Sequence, residues 1–210
     1  METFEGKEAL SARAATYEFL SGLYLTEVTA EFIEQLRADD SFKEGPLGEY
    51  AASLEGVEAE QARQDAAADF AALFLGMSAL PVAPYESVYT SELQLLMQEA
   101  RDEVVAFYRE HGFACTDDFS LPEDHAGVEL QFMARLCRAE AEAIDACDAT
   151  ACARARAAQQ AFLRGHLLNW MPRMCEDVAA RAKTGLYRGL ADMTHQFLEL
   201  EREELLAETA

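Results

Sequence analysis

The stretch LPEDHAGVELQFMARLCRAEAEAIDA, residues 121–146, decides the fold. Val128, Phe132, Met133 and Leu136 recur at the spacing of one face of an α-helix, with polar residues between them. Ser120 and Glu123 read as a capping box ahead of this face. Pro122 falls in the first turn, where a missing N–H is tolerated. The spacing predicts a helix that begins near Ser120 and runs to about Ala146.

The same periodicity extends outward in both directions. Upstream, Ser91 and Gln94 form a second capping box. The helix behind it is marked by Leu93, Met97, Ala100, Val104, Phe107 and Tyr108, and stops at Gly112. A first helix carries Leu10, Ala14, Tyr17, Leu20 and Tyr24. Thr29 is a candidate N-cap for the next, with Phe32, Ile33 and Leu36 on one face. Gly45-Pro46 breaks the chain before a short helix around Tyr50 to Leu54. Another helix, Gln61 to Leu75, has Phe70, Leu73 and Phe74 as its apolar contacts. Downstream, an Ala/Arg/Gln segment leads to Phe162, Leu167, Leu168 and Trp170, and Pro172 marks a break or a new first turn. Gly185 separates a helix near Met174 to Lys183 from a last one bearing Tyr187, Leu190, Thr194, Phe197, Leu198 and Leu205. No alternating strand pattern and no internal repeat is visible. The expectation is an all-α fold of roughly nine or ten helices, helix packed on helix.

Composition narrows the function. The chain has 210 residues and a formal net charge of −22, from 39 acidic and 17 basic residues. Such a field repels nucleic acid and anionic membrane surfaces, and attracts a basic peptide or a basic protein surface. Plain solubility, or a salt-adapted host, is the competing account of the charge. The five cysteines, Cys115, Cys137, Cys147, Cys152 and Cys175, are odd in number and form no C-x-x-C pair. They read as reduced cytosolic thiols. The start METFEGKEAL lacks the pattern of an export signal, and no stretch is long and apolar enough to span a bilayer. The expected location is cytoplasmic, with no stable membrane insertion.

Enzyme motifs are missing: there is no phosphate loop, no dinucleotide-binding glycine pattern and no nucleophile elbow. A helical two-metal site needs paired E-x-x-H motifs, whereas Asp192-x-x-His195 stands alone and His125 with Glu129 supplies two ligands at most. Neither a cofactor nor catalysis is expected. The unusual stretch is GMSALPVAPYESVYTSE, residues 76–92, which is irregular yet apolar, with Leu80, Val82, Tyr85, Val88 and Tyr89. A loop of this kind packs on the body or lines a groove. Its tyrosines are either core or rigid contact area for a peptide. In the second loop, Asp124 suits the start of a helix and His125 is expected neutral there. His125 is either a cap or a polar anchor tying this loop to the one at Pro84 to Tyr89. Trp170 reads as core.

The two loops together resemble the TorD/DmsD family of redox-enzyme maturation chaperones: P-Y-E-S-V-Y at 84–89, then L-P-E-D-H-A-G-V-E-L-Q-F-M at 121–133. Phe162, His166, Leu167, Trp170 and Pro172 match that family's F-x-x-x-H-L-x-x-W-x-P. Tyr187, Leu190 and Ala191 match its Y-x-x-L-A, followed by Phe197-Leu198. Tyr17, Leu20, Leu23 and Tyr24 fit more loosely. Glu123 sits between proline and aspartate, as in the DmsD-like branch, but Tyr85 stands where that branch often has tryptophan. The resemblance implies a cytoplasmic chaperone for a molybdopterin-dependent oxidoreductase. It would bind the client's N-terminal signal, often of twin-arginine type, and its apo form, aiding cofactor insertion and delaying export. It also implies an N-terminal lobe of about residues 1–117, a hinge at about 118–124 and a C-terminal lobe of about 125–210, as a monomer or a domain-swapped dimer. The peptide-binding residues would be Pro84, Tyr85, Ser87, Val88, Tyr89, Pro122, Asp124, His125 and Glu129. Tyr85, Val88 and Tyr89 would give apolar contact, Asp124 and Glu129 would pair with arginine, and His125 would position the loop. The alternative is an acidic helical scaffold or regulator that binds a basic folded protein. Such a scaffold would tolerate polar replacement of the loop from Pro81 to Tyr89.

Overall fold

A computed structural model describes residues 2–115 and 120–206 of the chain. Ten α-helices run in order: α1 (Glu2–Leu25), α2 (Ala30–Ala38), α3 (Pro46–Ser53), α4 (Ala59–Phe74), α5 (Glu86–Thr90), α6 (Glu99–Glu110), α7 (Ala126–Asp145), α8 (Ala149–Phe162), α9 (Leu168–Arg181) and α10 (Gly185–Leu206). A π-helical turn at Leu163–Leu167 joins α8 to α9. There is no strand among the described residues, so the all-α expectation holds. None of these helices is long and apolar enough to cross a membrane.

The elements form two compact units that interleave in sequence. One comprises residues 1–25, 85–170 and 200–210, and the other residues 26–84 and 171–199. This partition differs from sequential lobes at 1–117 and 125–210. Residues 118 and 119 of the expected hinge lie outside the described residues.

In the first unit α7 is the central element, with α1 along one side and α8 along another. Its apolar face buries Val128, Phe132, Met133 and Leu136, as the spacing predicts. Phe132 centres an aromatic cluster, 4.6 Å from the Tyr108 ring and 4.8 Å from that of Phe162. Gly127 lets α1 come close: a Cβ there would sit 2.4 Å from Leu25 Cγ and 3.0 Å from the Ser21 carbonyl oxygen. The Ser21 hydroxyl donates to the Gly127 carbonyl at 2.7 Å in the same contact. Midway along α1, Arg13 forms a two-pronged ion pair with Glu201 at 2.6 and 2.7 Å and reaches Gln159 at 2.9 Å. The Tyr17 hydroxyl also donates to Glu201, at 2.7 Å.

In the second unit Asp69 of α4 caps the start of α10. Its carboxylate accepts from Lys183 N, Thr184 N and the Thr184 hydroxyl at 2.7–2.9 Å. Charge-assisted bonds to the free N–H groups of a helix start are strong ones. Thr29 caps α2 as expected, accepting from Phe32 N at 3.2 Å. Gly185 and Gly189 allow α3 to approach, under the Tyr50 ring and the Pro46 carbonyl respectively. Phe70, Phe74 and Tyr187 make the aromatic contact between α4 and α10.

Three boundaries depart from the sequence reading. The capping box at Ser91 and Gln94 does not form: α6 begins only at Glu99, and Gln94 and Met97 adopt left-handed φ values of 51° and 61°. Likewise α7 begins at Ala126 and not near Ser120, because His125 takes extended geometry and becomes the N-cap. Pro172 lies inside α9. The residue four before it is Leu168, the first of α9, so the missing hydrogen bond falls at the junction with the π turn.

Replacing Gly127 by alanine is expected to lower the unfolding free energy by about 1–3 kcal/mol through overpacking against Leu25 and Ser21. Gly22→Ala, in open space on the exposed side of α1, is expected to raise it by about 0.4–1 kcal/mol. Urea denaturation of the two variants checks both signs.

Candidate functional site

The two family-like loops meet in the first unit. Tyr85 and His125 form an isolated antiparallel bridge, and Glu86 N donates to the Asp124 carbonyl at 3.0 Å. Asp124 then reaches across: its Oδ2 accepts from Ser87 N at 2.9 Å and from the Ser87 hydroxyl. The Tyr85 ring stands edge-on to the His125 ring with centroids 5.1 Å apart. Asp124 therefore caps the start of α5 from a distant segment, by the charge-assisted bonding that a side chain of the helix itself usually supplies.

His125 works in both ways that the sequence left open. Its Nδ1 accepts from Gly127 N at 3.0 Å, which caps α7, and its backbone and ring hold Tyr85. Burial pushes the imidazole down to about 4, so the ring is neutral in the physiological range. Around it, the Pro122 carbonyl accepts from His125 N at 3.2 Å. Glu123 is clamped by Arg101 through two 2.7 Å bonds, and its carbonyl accepts from the Tyr108 hydroxyl at 3.2 Å.

Beneath the loops lies a set of buried acids. Glu129 is fully buried, and Oε2 accepts from the Trp170 indole at 3.0 Å. Burial raises its carboxyl well above the ordinary carboxylate range, and the neighbouring negative charge of Glu86 adds to the effect. Glu129 therefore favours its neutral form more than an exposed carboxyl does. Glu86 Oε2 in turn meets His166 Nδ1 at 2.9 Å. The Tyr89 ring lies against Trp170 with centroids 5.6 Å apart. His166 comes from the π turn and Trp170 from the first turn of α9, so this connection carries two of the four partners.

The sequence-predicted residues divide into two groups. Tyr85, Val88 and Tyr89 are partly exposed and share the outer face of the loop. Ser87, Asp124, His125 and Glu129 are buried and form the scaffold behind it. Pro84 is buried and leads into Tyr85, while Pro122 is half-buried. Asp124 and Glu129, expected to pair with a client arginine, are both 0% exposed in this structure, Asp124 engaged with Ser87 and Glu129 with the Trp170 indole. Sequence reasoning missed Glu86, His166 and the polar role of Trp170. A glutamate inside an otherwise apolar loop was the available signal, since a charge so placed needs a partner. No group of three or more potential metal ligands occurs among the described residues.

Comparison with known proteins places this geometry. The family described as "Nitrate reductase delta subunit" matches residues 36–176. The chaperone protein TorD of Photobacterium profundum is 31% identical over 208 residues, covering 93% of this chain and 95% of that protein. The chaperone protein TorD of Vibrio cholerae is 30% identical over 212 residues, covering 94% of each. That of a Psychrobacter species is 27% identical over 212 residues, with 94% and 93% covered. The chain belongs to the TorD family of redox-enzyme maturation chaperones.

The raised Glu129 carboxyl sets a pH dependence. Unfolding releases its proton above about pH 4.5, so the wild type loses stability as pH rises from there towards the raised folded value. Glu129→Gln keeps an acceptor for Trp170 and a donor for Glu86 but has no proton to lose. Its melting temperature is expected to gain on the wild type as pH rises above about 5. A constant difference across that range would mean that Glu129 is ionised in the fold.

Proposed function

We propose that this chain is a cytoplasmic chaperone dedicated to a molybdopterin-dependent oxidoreductase. It binds the client's N-terminal leader, of twin-arginine type, together with the apo form, and so delays export until cofactor is inserted. The carrying observation is the outer face of the 84–90 loop. Tyr85, Val88 and Tyr89 are partly exposed there while Asp124 and His125 pin the backbone beneath them. An apolar surface that is rigid before binding loses little conformational entropy when a partner arrives. A formal charge of −22 favours encounter with a basic segment. A leader of this type is basic at its start and apolar after it, and so uses both properties. On this reading Pro84, Pro122 and the buried Ser87, Asp124, His125 and Glu129 shape the loop, and the tyrosines and Val88 touch the client.

Tagged protein purified from its own host, with bound chains identified by mass spectrometry, tests this reading. Wild type is expected to retain a molybdoenzyme catalytic subunit. Tyr85→Ala with Val88→Ala, melting within a few degrees of wild type, is expected to retain roughly a tenth as much or less, a loss of about 1.4 kcal/mol or more. Raising the salt in the wash should weaken the wild-type complex. Capture of a basic folded protein instead, indifferent to the double variant, would favour the acidic-scaffold reading.

A further inference from the structure

The segment that fails to extend α6 is the most apolar exposed stretch of the first unit. Leu93, Leu95, Leu96 and Met97 are 69%, 53%, 44% and 56% exposed. Single exposed leucines are ordinary, but four large apolar side chains within five positions are not. The backbone holds them out: Gln94 and Met97 are left-handed, a geometry that costs non-glycine residues about 1 kcal/mol or more each. The sequence would allow a helix here that turned Leu93 and Met97 onto the stripe shared by the buried Val104 and Tyr108. The structure forgoes that burial. At the foot of the segment Ser87 is fixed by Asp124, and Gln98 N donates to the Ser87 hydroxyl at 3.3 Å. The exposed leucines are thus anchored to the same clasp as the 84–90 loop.

The rim identifies the occupant. Residues 91–103 include four carboxylates, Glu92, Glu99, Asp102 and Glu103, against a single guanidinium. That one, Arg101, is bound to Glu123 and Asp102. A second copy of a chain with charge −22 would bring the same sign to the same place. We propose that the 91–98 loop is the docking surface for the apolar run of the client leader, with the basic residues before that run lying along the acidic rim. This rests on the leader-binding reading above and extends the leader's apolar contact beyond Tyr85, Val88 and Tyr89 to the segment that follows them. The leader docks its apolar face on Leu93, Leu95, Leu96 and Met97, the mode by which amphipathic helices bind exposed apolar surfaces.

Fluorescence anisotropy with the full chain tests this. The probes are two labelled synthetic peptides. Each has an Arg-Arg pair, followed in one by a run of roughly twelve leucines and alanines, and in the other by a Gly/Ser run of equal length. The variant is Leu93→Ser with Leu95→Ser, Leu96→Ser and Met97→Ser. The expected result is at least about tenfold weaker binding of the Leu/Ala peptide to the variant, with the Gly/Ser peptide bound equally by both proteins. A photo-crosslinking side chain at position 95 is expected to label the Leu/Ala peptide, and gives the answer independently of how well the fourfold variant folds. Equal binding of the Leu/Ala peptide by wild type and variant, with no crosslink, would overturn the loop assignment and leave leader binding standing. No binding of either peptide to wild type would overturn both. A wild-type dimer in sedimentation that the variant converts to monomer would make this face a self-contact and overturn the proposal.

Discussion

The Asp124 carboxylate and its hold on Ser87 is the constraint from which the first unit takes its shape. An all-helical chain has no sheet to align segments that are far apart in sequence. Here, a single bridge between Tyr85 and His125, closed by Asp124 on the Ser87 N–H and hydroxyl, does that alignment. With α5 fixed against the start of α7, Glu86 comes beside Glu129 and within hydrogen-bond reach of His166. Burying so many ionisable groups would be prohibitive if each were alone. They are tolerable because Asp124 receives two donors, Glu86 meets an imidazole, Glu129 accepts from the Trp170 indole and His125 stays neutral.

Much of the fold was legible in the sequence because helix faces and caps are local properties. The stripe on α7, the Thr29 cap, the stops at Gly112 and Gly185, and the break at Gly45-Pro46 all depend on residues within a turn or two of one another. What was misread depends on distant partners. The Ser91 and Ser120 boxes are locally adequate caps, but Ser87 and Asp124 bind each other across 37 residues, and the backbone nearby follows that tie. The same holds for the site. Tyr85, Asp124 and His125 could be picked out by type and setting. Glu86, His166 and Trp170 could not be joined to them, because only the third dimension makes an acid in one loop the neighbour of an imidazole 80 residues later.

The charge of the molecule is distributed in a way that suits a chaperone. Carboxylates crowd the outside, giving an acidic field, whereas burial pushes the Glu129 carboxyl beneath the loops towards its neutral form. The outer face of one loop offers tyrosines on a stiff backbone, and the next segment offers leucines. A basic and apolar leader is complementary to both properties, and a folded basic partner to the first alone. The clasp holds the backbone beneath the apolar surface, so the buried polar network and the exposed face are parts of one arrangement.

The π turn at Leu163–Leu167 acts as a vernier for this interior. A π turn holds one residue more than the α-helical turn it replaces. The wider turn absorbs the surplus, so the residues after it keep close to the heading of an unbroken helix. His166 lies within the turn and Trp170 just after it, and they serve two different carboxyl groups. The turn therefore sets where the His166 ring meets Glu86 without redirecting the residues that carry the Trp170 indole to Glu129.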